Sequence, residues 1–116
     1  MASAELNPRS GRILATVVRE YIQTGEPVPS MMVARRGALG VSSATIRNIL
    51  VQLEDQGFVW QPHTSAGRVP TDQGLRFFVD SLLKVRAVSA REREELVQRY
   101  QINTDDLGGL ETFLSR

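Results

Sequence analysis

The chain has 116 residues, no cysteine and a formal net charge of +1, which leaves room for one compact domain and little more. Without cysteine there is neither a disulfide framework nor a thiolate metal site, and the single His63 cannot build a metal centre alone. Neither a signal peptide nor an apolar run long enough to span a bilayer is visible, so a cytoplasmic protein away from the membrane fits the sequence.

Charge is uneven along the chain. Residues 1 to 88 carry ten basic against seven acidic side chains, and residues 89 to 116 carry four against six. Thirteen of the fourteen cations are Arg, whose planar guanidinium suits phosphate and guanine, although high genomic GC content gives the same bias.

Asn7 followed by Pro8 reads as an N-cap and a first helical residue. Ile13, Leu14, Val17, Val18, Tyr21 and Ile22 then repeat at three- and four-residue steps as a core stripe, and Gly25 closes the helix. Glu26-Pro27-Val28-Pro29 cannot continue it and is expected to be extended, with Val28 pairing one short strand. Ser30 is placed as the cap of a second, short helix that turns Met31, Met32, Val33 and Ala34 toward the core. Arg35 and Arg36 at its end suit the helix dipole, and would equally suit a helix crossing a DNA backbone.

Leu39-Gly40 turns the chain into the stretch around which the sequence is organised. Ser42 is a good N-cap, Val41 and Ile46 have the spacing of a hydrophobic staple, and Gly57 supplies a left-handed stop. Ile46, Ile49, Leu50 and Leu53 share one face, so Ala44, Thr45, Arg47, Asn48, Val51, Gln52 and Asp55 look the other way. The first two turns carry Ser43, Thr45, Arg47 and Asn48 and no acid, while Glu54 and Asp55 lie at the far end. A helix entering the major groove leads with its N-terminal residues and cannot tolerate carboxylates beside phosphate there. The same pattern also describes an ordinary surface helix, so the context must decide.

After Gly57, Phe58 to Gln61 and Arg68 to Pro70 read as two strands of a hairpin around Pro62-His63-Thr64-Ser65-Ala66-Gly67. A hairpin directly after two helices joined by a glycine turn is the winged-helix order. Thr64, Ser65, Gly67 and Arg68 would then follow a phosphate backbone, with Arg68 as the phosphate contact; as a plain loop they need no such explanation. Thr71-Asp72 caps a further helix whose Leu75, Phe78, Val79, Leu82 and Leu83 form a stripe more apolar than a small domain requires. Ser89 opens a charged helix to about Tyr100 with Leu96, Val97 and Tyr100 on one side, and Thr104-Asp105-Asp106 opens a last short segment. No catalytic constellation, phosphate-binding glycine loop or cofactor motif is present.

Four runs, VSSATIRN (41–48), LEDQG (53–57), QPHTSAGRVP (61–70) and TDQGLRFFVD (71–80), with the opening Arg19-Glu20-Tyr21-Ile22 and Thr24 to Val28, resemble the N-terminal part of the HrcA family of heat-inducible transcription repressors. The resemblance covers about residues 9 to 84, and the PHTSAGR stretch separates it from other winged-helix repressors that share shorter elements. It implies a homodimer on an inverted-repeat operator in double-stranded DNA upstream of chaperone operons, with a chaperonin as modulator. By the same resemblance Ser43, Thr45, Arg47 and Asn48 face groove and backbone, and His63 to Arg68 form the wing; Ser42 and Gln52 on the same helix complete the set of DNA-binding candidates. Ile49 stands where the family usually has an acidic residue, and Met31-Met32 replaces a more polar pair. The family also has a downstream domain for dimerisation and control that this sequence does not contain.

The sequence therefore predicts a mainly α fold with a small β-hairpin, a winged helix-turn-helix over residues 1–88 followed by a helical extension over 89–116. It predicts DNA-binding repression without enzymatic activity, metal or cofactor, and a dimer interface along Leu75, Phe78, Val79, Leu82 and Leu83. The alternative is a winged-helix interaction module that makes no specific DNA contacts.

Overall fold

A computed structural model of the protein describes residues 6–37, 40–63, 66–87, 90–100, 106, 108 and 109. The expectations resting on Leu39, Thr64, Ser65, Ser89, the Tyr100 side chain and residues 101–105 and 110–116 lie outside the described residues. The elements run α1 (Pro8–Thr24), α2 (Ser30–Gly37), α3 (Ser43–Asp55), β1 (Val59–Trp60), β2 (Val69–Pro70), α4 (Asp72–Ala87) and α5 (Ala90–Tyr100).

Helix α1 is the centre of the packing. Its start is fixed by the Asn7 side chain, which accepts from the Ser10 N–H at 2.9 Å, and by Pro8 in the first turn. Its end is fixed by Gly25, whose N–H donates to the Tyr21 carbonyl at 2.7 Å. Ile13, Leu14, Val17 and Val18 are fully buried because α2, α3, β2, α4 and α5 all pack on this helix. The stripe stops one turn earlier than its periodicity predicts: Tyr21 is half-buried and Ile22 is exposed, with residues 22 to 26 all in solvent. The last turn projects beyond the layer it packs on.

Helix α2 contains Ser30 as its first residue, and the Pro29 carbonyl ahead of it accepts from the Met32 and Val33 N–H groups. Ser30 is therefore inside the helix rather than its cap. Val33 is buried and Met32 and Ala34 are half-buried, but Met31 faces solvent. Residues 31 and 33 lie about 200° apart around a helix, so both cannot face the core. Arg36 reaches back to Glu20 of α1 at 3.7 Å.

Helix α3 has both ends built as the sequence predicts. Ser42 caps it, and Val41 is half-buried against the core that contains Ile46. At its other end the Phe58 N–H donates to the Leu53 carbonyl at 2.9 Å and the Gly57 N–H to the Glu54 carbonyl at 3.0 Å. This pair of bonds is a Schellman motif, which needs a left-handed residue where Gly57 has φ 86°. Leu53 and Phe58, the two apolar residues that bracket the motif, are both buried.

The motif delivers the chain into the hairpin. β1 and β2 pair antiparallel in the register Val59 with Pro70 and Trp60 with Val69. Val28 adds a third, single-residue strand: its N–H donates to the Arg68 carbonyl at 2.8 Å and its carbonyl accepts from the Arg68 N–H at 2.9 Å. The strand expected at Val28 is thus present, and its partner is the wing's returning arm. The whole is a winged helix-turn-helix, mainly α with a small hairpin.

Helix α4 starts at a junction with α3. Thr71 accepts from the Gly74 N–H at 3.1 Å and donates its hydroxyl to the Gly57 carbonyl at 2.6 Å, joining the start of α4 to the end of α3. Gly74 lies so close to the Phe58 carbonyl that a Cβ would overlap its oxygen. The predicted apolar stripe divides: Phe78 and Leu82 are core, Leu75 is half-buried, and only Val79 and Leu83 are exposed. Phe77, outside the predicted stripe, is half-buried with its ring edge-on to Phe58 at 5.6 Å. α5 packs on α1 and α4 through Leu96 and Val97, and Arg12 donates to the Arg99 carbonyl at 3.0 Å.

Candidate nucleic-acid interface

The outward face of α3 begins at its cap. Ser42 Oγ accepts from the Thr45 N–H at 3.1 Å and lies 3.0 Å from Thr45 Oγ1, so the two hydroxyls share a hydrogen bond. That bond fixes the Thr45 side chain, which is half-buried, while Ser43, Ala44, Arg47, Asn48, Val51 and Gln52 are exposed. The acids of the helix, Glu54 and Asp55, are confined to its last turn. The exposed front half therefore combines the positive end of the helix dipole, the Arg47 guanidinium and neutral hydrogen-bonding groups, an arrangement that attracts anions and can read base edges.

A second element borders this face. The start of α1, Asn7 to Ser10 with Arg12, faces Thr45, Asn48, Ile49 and Gln52 across an open groove of about 620 Å³. Its lining holds two arginines and no acid. Sequence reasoning placed neither Arg9 nor Arg12 at the site, because helical periodicity shows only that they lie off the α1 core stripe. Their approach to α3 comes from helix packing. Arg12 is partly committed to α5 through the bond to Arg99, whereas Arg9 is exposed.

On the hairpin, His63 and Ala66 are exposed, and Thr64 and Ser65 lie outside the described residues. Gly67 and Arg68 sit differently from the exposed tip that the sequence suggests. Gly67 is buried, and a Cβ there would stand 2.8 Å from the Pro27 carbonyl carbon and 2.9 Å from the Val28 nitrogen. Arg68 has a side chain only 10% exposed, with Nε 3.2 Å from Glu54 Oε1 and NH1 donating to the Ala66 carbonyl at 3.0 Å. Both belong to the base of the wing, because the Val28 bridge pulls the returning arm onto the body of the domain.

Among the described residues no group of three His, Asp or Glu side chains could hold a metal ion, and no helix is long and apolar enough to cross a membrane.

The curated proteins that the chain resembles carry one name. The chain is 46% identical over 104 residues to the heat-inducible transcription repressor HrcA of Syntrophobacter fumaroxidans, a match covering 90% of this chain and 30% of that protein. It is 50% identical over 95 residues to the HrcA of Moorella thermoacetica, covering 82% of this chain and 28% of that protein. The chain thus spans about 30% of the length of the curated relatives it matches. No protein-family model matches it. Among solved structures, a hypothetical protein 50% identical in sequence superimposes with a TM-score of 0.67 over 69% of this chain and 26% of that one. A hypothetical protein from Sulfolobus solfataricus, 22% identical, shares the fold over 94% of this chain and 89% of its own with a TM-score of 0.59.

Proposed function

We propose that this chain, which matches the N-terminal part of the HrcA family, is the DNA-binding part of a heat-inducible transcription repressor and carries no catalytic activity. Its target is an inverted-repeat operator upstream of chaperone operons, with a chaperonin as modulator and the cytoplasm, at the nucleoid, as its place of action. The observation that carries this reading is the acid-free, exposed front half of α3, bordered by Arg9 on one side. Ser42, Ser43, Thr45, Arg47, Asn48 and Gln52 form the groove-facing set, Arg47 and Asn48 being the exposed side chains nearest the helix N-terminus that can make paired contacts to a base edge. The adjacent backbone is assigned to His63 and, by the family resemblance alone, to Thr64 and Ser65, while Gly67 and Arg68 form the base of the wing.

Two copies on an inverted repeat would place their α3 helices in successive major grooves about 34 Å apart. Titrating the chain against a chaperone-promoter duplex and a scrambled duplex at two salt concentrations tests the proposal. A preference for the promoter that persists at the higher salt is the expected result. Equal, salt-labile affinity for both would leave only non-specific attraction, and absence of binding would favour an interaction module.

A further inference from the structure

Arg68 is the one cation of the wing sequence, yet it is held where it cannot easily reach a phosphate. Its guanidinium is shared between Glu54 in the last turn of α3 and the Ala66 carbonyl, and its backbone makes both bonds of the bridge to Val28. One residue therefore joins the connection before α2, the returning arm of the wing and the end of the α3 helix.

The position of Glu54 needs a partner of this kind. A carboxylate in the last turn of a helix faces the negative end of the dipole, an unfavourable place unless a cation neutralises it. Arg68 does so while placing its own charge where that dipole favours it. Moving the guanidinium out to a phosphate would strip Glu54 of its partner and leave an unneutralised carboxylate, 38% exposed, at the negative end of the α3 helix, which opposes the move.

Building on the DNA-binding reading above, we propose that Arg68 is a positioning residue: the Arg68–Glu54 pair sets the angle between the wing and the α3 helix, and it raises DNA affinity without touching DNA. The sequence assigns this arginine to phosphate because Glu54, fourteen residues earlier, becomes its neighbour only once the hairpin has folded back.

The test compares Arg68→Ala, Glu54→Gln and the double variant with the parent chain, using a chaperone-promoter duplex across a salt series. The positioning role predicts that each single change weakens binding roughly tenfold, as expected for coupled neighbours, and that the double change costs no more than either. It also predicts an unchanged slope of log affinity against log salt for Arg68→Ala. A slope smaller by about 0.9, the value of one lost phosphate contact, together with tighter binding by Glu54→Gln, would overturn it. A readout without DNA is available in Trp60, whose strand partner Val69 follows Arg68 directly. Its emission should shift in both single variants, and Glu54→Gln, which alters a partly exposed side chain, covers the case in which Arg68→Ala does not fold. An unshifted Trp60 in Glu54→Gln would sink the proposal. Arg47→Ala serves as the control for the underlying reading: if it binds as the parent does, the recognition-helix assignment fails, while the Trp60 result still decides the pair.

Discussion

Replacing Gly74 by alanine pits a local preference against a tertiary contact, and the structure states which should win. In a helix interior alanine is favoured over glycine by about 1 kcal/mol, and less in the first turn where Gly74 sits. Against this, a Cβ at position 74 would overlap the Phe58 carbonyl oxygen and lie 3.5 Å from Leu14 Cδ1. The obstacle is backbone, so no rotamer change relieves it. The Phe58 carbonyl is moreover the acceptor of the Thr71 N–H at 3.0 Å, and moving it loosens the junction between hairpin and α4. Overpacking of this kind costs roughly 1–3 kcal/mol, and the weakened hydrogen bond adds about 1 kcal/mol. The net expectation is a loss of about 2–3 kcal/mol, or roughly 8–12 °C in Tm at about 4 °C per kcal/mol for a domain of this size. Urea unfolding followed by Trp60 fluorescence and by circular dichroism measures it. An alanine variant as stable as the parent, or more stable, would mean that α4 does not approach the Phe58 carbonyl as closely as described, and the account of the junction would fail.

Thr71→Val keeps the shape of the side chain but removes both of its hydrogen bonds, to the Gly74 N–H and the Gly57 carbonyl. A loss of about 1–2 kcal/mol is expected, with a urea midpoint equal to the parent's as the contrary result. Arg47→Ala and Asn48→Ala change exposed residues, so each should leave the unfolding midpoint in place while weakening operator binding by roughly 1–3 kcal/mol. Mobility shift with the promoter duplex measures that loss, and two alanine variants that bind like the parent would remove α3 from the interface.

The elements that the sequence predicts correctly are those whose signals act within one turn of chain. Asn7, Ser42 and Thr71 bond N–H groups three residues ahead, and Gly57 needs only its own φ, so α1, α3 and α4 have ends that can be located without knowing the fold. The Val28 strand is similarly forced, since two prolines flank it and exclude a helix. Periodicity, by contrast, gives the face of a helix but not the extent of the surface it meets. That is why Ile22 continues the α1 stripe in sequence and yet stands in solvent, and why Met31 faces away from Val33. The candidate site divides the same way. Exposure of Ser43, Arg47, Asn48 and Gln52 follows from the burial of Ile46, Ile49, Leu50 and Leu53 on the same helix. Arg9 and Arg12 beside them, and the burial of Gly67 and Arg68, depend on which elements pack together, and no local pattern encodes that.

The α4 stripe bears on assembly in a way its apolar character alone does not suggest. An interface along Leu75, Phe78, Val79, Leu82 and Leu83 presupposes five available side chains, but Phe78 and Leu82 already fill the core, where their burial supports the fold. What remains is Val79, 41% exposed, and Leu83, 38% exposed, with half-buried Leu75 beside them. Stable association needs roughly 800 Å² from each partner, and a strip of two partly exposed aliphatic residues falls well short of that. The chain is therefore expected to sediment as a monomer at micromolar concentration. Two copies should meet on α4 only when an inverted-repeat duplex holds them side by side, since tethering on one duplex raises their effective concentration without any new contact. Leu83→Glu should then leave half-site binding unchanged and remove the gain in affinity from half-site to full inverted repeat. Sedimentation as a tight dimer without DNA, or a full-site gain that survives Leu83→Glu, would place the pairing surface elsewhere on the molecule.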